Sequence, residues 1–142
     1  MRIASATLIL LLASPALAED TTGASGTPGT HVEMPYLMAP MTTDGQLSGY
    51  AYISSKVVAS TPMAALDIRG RIAYIQDAFV RDVNGAGLAQ KGNPPTVDNA
   101  ALSARLLSDA QRIMGGGKVV GVEIIQVQVS PLRSDKAPVP PS

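Results

Sequence analysis

Between residues 47 and 58 the side chains alternate. Leu47, Gly49, Ala51, Ile53, Ser55 and Val57 share one face, and Tyr50, Tyr52, Ser54, Lys56 and Val58 share the other. A period of two is that of a half-buried β-strand. The first face is small and apolar, so helices can approach it closely. The tyrosine face is then the amphipathic outer one. Asp44-Gly45, just upstream, is a hairpin signal. It makes VEMPYLMAPMTT, residues 32 to 43, the partner strand. Pro35 and Pro40 mark that strand as an edge strand or an interrupted one, because proline has no N–H for a ladder.

The period then changes. Ile68, Ile72, Ile75, Phe79 and Val83 recur at steps of four and three, which is an amphipathic helical stripe. Thr61 is placed to cap this helix, with Pro62 at its first position. Asp67 with Arg71 and Asp77 with Arg81 are opposite charges at i, i+4. Gly70 is a candidate kink, close contact or break, and Asn84-Gly85 is expected to end the helix with a left-handed glycine. AGLAQKGNPPTV reads as a flexible connector. Asp98 or Thr96 caps a second helix, whose buried face is Leu102, Leu106, Leu107, Ala110, Ile113 and Met114 and which stops at Gly115-Gly116-Gly117. KVVGVEIIQVQV, rich in β-branched residues, is the closing strand, ended by Pro131. The predicted fold is α+β: a small sheet of about three strands with two helices packed on one face, in the order β-β-α-α-β.

The chain ends add location. Arg2, the apolar run Ile3 to Leu12 and the small residues Ala16 and Ala18 follow the grammar of a secretory signal peptide over residues 1–18. A retained anchor needs about 20 apolar residues, and Ser14 and Pro15 interrupt this run. Residues 19–31 have linker composition, and residues 134–142 form a proline-rich tail expected to be disordered. Residues 32–133 are left as a single α+β domain, a normal domain size. The expected location is the periplasm. The alternative is inner-membrane anchoring with the domain facing the periplasm, should the leader be retained.

The chain has no cysteine, which removes thiolate metal ligands and thiol redox chemistry. Its 11 basic and 11 acidic side chains balance and form no basic run, so nucleic acid is not an expected partner. GGGKVV lacks the spacing of a phosphate loop and lies between helix and strand, the reverse of the order that chemistry needs. One histidine and no nucleophile elbow leave no triad to assemble. No catalytic residue is assigned, no cofactor is expected, and the protein is read as not an enzyme. His31, Met34, Met38 and Met41 form the one metal-like set, soft enough for monovalent copper. On a regular strand Met34 and Met38 share a face and Met41 opposes them. Methionine is also a routine core filler, so a metal-handling role is kept as the alternative only.

Taken together, the N-terminal apolar segment, the polar linker, two strands, IRGRIAYIQDAFVRDV, a second helix and KVVGVEIIQVQV resemble the FliL family of flagellar basal-body proteins. Ile68-Arg69 and Ile72 to Val83 echo that family's helix pattern, and Val119, Val122 and Gln126 echo its last strand. The resemblance covers about residues 34 to 130. It implies a periplasmic module similar to the stomatin-type domain, assembling around flagellar stator units.

The resulting expectation is an exported, non-enzymatic protein-interaction domain at the cell envelope, associated with the flagellar basal body or another membrane assembly. It would engage a protein partner or self-assemble. If export and cleavage follow this reading, mass analysis of the periplasmic fraction will show a mature chain beginning at Glu19. A full-length chain pelleting with membranes identifies a retained anchor instead.

Overall fold

The alternation in the central segment produces one long strand with which the other three strands of the main sheet pair. The computed structural model describes residues 29–92 and 95–132. The leader, the tail at 134–142 and most of the predicted linker lie outside the described residues. Strand β1 is His31–Glu33, β2 is Leu37–Thr43 and β3 is Gln46–Ala59. Helices α1 and α2 follow at Pro62–Gly70 and Ile72–Gly85. Two short strands, β4 (Gln90–Lys91) and β5 (Thr96–Val97), lead into α3 (Asn99–Met114), and β6 (Val119–Pro131) closes the described chain. The class is α+β, as predicted.

The main sheet is antiparallel throughout. β1 and β2 both pair with β3 along one side, and β6 pairs with β3 from Gly49 to Ala59 along the other. β1 and β2 are therefore one broken edge strand, with β3 in the centre. Ala51, Ile53, Ser55, Val57 and Ala59 of β3 are all buried, on the side where the helices lie. The opposite face is at most half-buried, and no described element covers it. No described helix is long and apolar enough to cross a membrane.

Local signals act largely as expected. Asp44 and Gly45 both have positive φ, 52° and 76°, which is the two-residue hairpin geometry. Thr61 Oγ1 accepts the Ala64 N–H at 3.0 Å, and Asp98 Oδ1 accepts that of Ala101 at 3.2 Å. The Ala101 N–H holds the Asp98 carboxyl below its ordinary value. Gly115, at φ 83°, ends α3.

Several expectations need correction. Of the three readings open at Gly70, the break is the one realised: the first helix is two helices, parted at Gly70 and Arg71, and the Arg71 φ of −122° is not helical. The break removes the i, i+4 geometry of Asp67 with Arg71. Asp67 instead pairs with Lys118 at 2.6 Å, tying α1 to the start of β6. The left-handed glycine after α2 is Gly87, because the helix continues through Gly85. The connector contains the β4–β5 pair, held to β2 by a Gln90 Nε2 bond to the Thr42 carbonyl at 2.9 Å. Val97 from this connector enters the core. Leu47 is 43% exposed, because the register shifts between Met41 and Thr42 and the extra residue, Ser48, reverses the alternation. His31 was placed in the linker but belongs to β1, since β3 runs far enough to pair with it.

Gly49 is required by close packing. A Cβ there would sit 2.5 Å from the Ser130 carbonyl oxygen and 2.9 Å from the Pro131 Cα.

The core joins Ile68, Ile75, Phe79 and Val83 of the helical stripe to Leu102 and Leu106 of α3 and to Leu37, Ile53 and Val57 of the sheet. Phe79 is fully buried and Arg81 is 78% exposed. Phe79→Ala is expected to lower stability by about 3 to 5 kcal/mol through lost burial and a cavity. Arg81→Ala, which breaks only the exposed pair with Asp77, is expected to cost under about 1 kcal/mol. Urea unfolding of both variants checks the assignment.

Candidate functional site

The uncovered sheet face is not flat, because both edge strands carry an extra residue at the same level of β3. On one side Glu33 faces Lys56 and Leu37 faces Ile53, so four steps along the edge match three along β3. Pro35 and Tyr36 fill that interval, and both are exposed. On the other side Ile124 faces Ser55 and Gln126 faces Ser54, so Ile125 is the extra residue. Bulges bend a strand and re-aim its side chains. Here they push Tyr36, 75% exposed, and Ile125, 52% exposed, outward on either side of Ser54.

The result is a groove running across the sheet with Ser54 in its floor. One part, about 280 Å³, is lined by Tyr36, Tyr52, Ser54, Gln126 and Gln128. The other, about 260 Å³, shares Tyr36 and Ser54 and extends to Glu33, Lys56 and Ile125. Both are smaller than the roughly 300 to 1,000 Å³ of a typical small-molecule pocket. Two phenol rings, two amides and a hydroxyl offer apolar area and uncharged hydrogen bonding together. At the polar end Lys56 Nζ lies 3.6 Å from Glu33 Oε1, and His31 Nε2 lies 3.6 Å from Glu123 Oε1. These partly exposed contacts contribute at most about 1 kcal/mol each. The Ser55 hydroxyl, beside the groove and buried, has no hydrogen-bond partner among the described residues.

The predicted metal set does not converge. The extra residue at Pro35–Tyr36 reverses the alternation, so Met34 and Met41 both point into the core, at 7% and 5% exposure. Met38, at 52%, is on the outer side, where His31 engages Glu123. The expected pairing of Met34 with Met38 is thus overturned. The two buried methionines do what core methionines do, filling space between sheet and helices. Among the described residues no group of three or more His, Asp or Glu is gathered for a metal.

Sequence reasoning placed Tyr52, Ser54 and Lys56 on the outer face but did not find the groove. Gln126 and Gln128, alternating with Val127 and Val129, were the available sign that β6 contributes polar groups to it. Tyr36 carried no such sign, because its projection depends on the bulge.

A second hollow, about 470 Å³, lies between α2 and α3 and is lined by Tyr74, Asp77, Arg81, Asp82, Asp109 and Arg112 among others. Its charges are already matched. Asp77 pairs with Arg81, Asp109 with Arg112, and Asp82 Oδ2 receives two bonds from Arg105 at 2.6 and 3.1 Å. Arg105 also donates to the Gly87 carbonyl at 2.9 Å, so it pins α3 to the end of α2. This arrangement stabilises helix packing and leaves little free charge for a ligand.

Asp109 is the strained member. Its side chain is 9% exposed, and its Oδ2 has no partner among the described residues. Burial, reinforced by the Asp82 charge, raises its carboxyl above the ordinary value, against the pull of Arg112 and Arg105. The unfolded chain loses this proton near 3.8, whereas the folded chain keeps it to higher pH. Between those points the folded state binds more protons. The contribution to stability is therefore full below the unfolded value and is lost as pH rises through the folded one. Asp109→Asn removes this titration, so its stability relative to wild type is expected to increase as pH rises from 3.8 through the folded-state value. Urea unfolding across that range measures the difference, and a constant offset contradicts the assignment. As for relatives, no protein-family model matches the chain, and comparison with curated proteins returns no significant match.

Proposed function

We propose that the protein is an exported, non-enzymatic interaction domain of the cell envelope, and that the groove on its uncovered sheet face is the contact surface. The observation that carries this reading is the coincidence of the two bulges. One extra residue on each side of β3, at one level, sets Tyr36 and Ile125 outward around Ser54. Bulges are enriched where a sheet serves a function. Tyrosine supplies large contact area at low entropic cost and is enriched at protein interfaces. A shallow strip of rings and amides suits a protein segment laid across the strands better than an enclosed small molecule. Export rests on the leader-like sequence at residues 1–18. The FliL-like resemblance suggests a flagellar assembly as the setting; the strand and helix order matches it when β1 and β2 count as one broken strand, α1 and α2 as one broken helix, and the short β4–β5 pair as part of the connector.

Co-purification from envelope fractions tests the surface. Tyr36→Ala and Tyr52→Ala together are expected to reduce recovery of the partner at least tenfold. Each side chain is exposed, and stability should change by no more than about 0.5 kcal/mol per substitution. Unchanged recovery by a folded double variant rules out the groove as the contact. Stator components among the recovered proteins support the flagellar setting, and their absence beside another specific partner removes it.

A further inference from the structure

The two edges of the main sheet are finished differently. The β1–β2 edge is blunted. Pro35 and Pro40 interrupt it, and side chains cap its outward carbonyls: Gln76 Nε2 bonds Tyr36 O at 3.3 Å, Gln90 Nε2 bonds Thr42 O at 2.9 Å, and Arg69 reaches His31 O at 3.5 Å. The first half of β6 is treated the same way by α3, through Ser103 on the Val122 carbonyl and Gln111 on that of Val119 at 3.1 Å. The second half of β6 has no such cover among the described residues.

Which backbone groups are open there follows from the ladder. Met34 donates to Ser55 O, and the Ala59 N–H is accepted by Thr30, so odd-numbered residues of β3 face β1 and even-numbered ones face β6. The residues opposite Ser54, Tyr52 and Tyr50 are Gln126, Gln128 and Ser130. Their main chains turn inward, and Val127 and Val129 turn their N–H and C=O groups away from the sheet. Leu132 N bonding Ser48 O at 2.9 Å continues the same phase. Between Ile124 and Leu132 there is no charged residue, and proline occurs only at 131. Natural edges usually carry lysine, proline or other obstacles to pairing.

We infer that this half of β6 pairs with the same segment of a second copy, antiparallel about a two-fold axis at Gln128. Val127 of each chain then faces Val129 of the other, exchanging four main-chain bonds across the junction. Gln128 meets its own counterpart, and Gln126 meets Ser130, so no like charges oppose. The valine side chains form a continuous apolar strip on the helix side, where Val129 is 48% exposed in the single chain. The two-fold axis runs perpendicular to the sheet, so both tyrosine grooves face the same way on one widened sheet. A head-to-tail contact is unavailable because the β1–β2 edge is blunted, so association closes at two copies. The chain's other segments are poorer occupants: residues 133–142 contain three prolines, and residues 19–28 are dominated by small and polar residues.

The inference is independent of the groove reading: its readouts are mass and amide exchange, and of its two substitutions only Gln128→Lys touches the groove lining, while Val129 lies outside it. Sedimentation equilibrium of the purified protein is expected to give twice the mass of its single chain, as that chain is measured by mass spectrometry. Hydrogen exchange should show the Val127 and Val129 amides protected in step with dimer formation. Val129→Pro removes an outward N–H that makes no bond to β3. Gln128→Lys sets two ammonium groups against each other across the axis. Each is expected to weaken dimerisation at least tenfold, and native circular dichroism of Gln128→Lys excludes unfolding as the cause. A monomer with rapidly exchanging Val127 and Val129 amides overturns the inference. So does a dimer that neither substitution weakens.

Discussion

The structure depends on the pairing of β3 along both of its sides at once. Fourteen residues of alternating character accept β1 and β2 on one edge and β6 on the other. Its inward side chains, Ala51 to Ala59, are small enough for the helices to lie close and are all buried. A strand in this position cannot slip, because a shift of one residue would turn every apolar side chain to solvent. Gly49 shows how tight the arrangement is, since even one added carbon would collide with the backbone of β6.

That fixed centre forces irregularities outward. Where the edge strands depart from the ladder, the extra residue has no partner on β3 and projects from the open face. Two such departures at Ser54 and Ser55 make a groove out of an otherwise polar surface. The same centre divides the sheet edges into a capped one and, over the second half of β6, an open one. Surface recognition and self-association thus occupy adjoining parts of the molecule but use different chemistry, side chains in the groove and main chain at the edge.

The helical layer is held by a different balance. Its inner side is apolar, with Phe79, Ile75, Leu102 and Leu106 fully or almost fully buried. Its flank carries paired charges, of which the Asp82–Arg105 fork is the most constrained because Arg105 also holds Gly87. Asp109 shows the cost of crowding. A buried carboxylate beside another acid retains its proton longer than an exposed one does.

The alternation of β3 from Gly49 onward, the helix periods and their apolar stripes, the Thr61 cap, Asp98 as one of two cap candidates and the Asp44-Gly45 hairpin were legible in the sequence by itself, because each rests on interactions within a few residues. So was the α+β class, which follows from their order. The tertiary structure chose the break among the three readings open at Gly70, and it alone decided the exchange of Arg71 for Lys118 as the partner of Asp67 and the facing of the methionines. One extra residue at Pro35–Tyr36 separates Met38 from Met34, and nothing in the edge strand's own sequence states its register against β3. The groove and the open edge belong to the same class. Both are properties of how three strands align, and alignment is settled by burial across the whole sheet, where distant residues compete for the same partner.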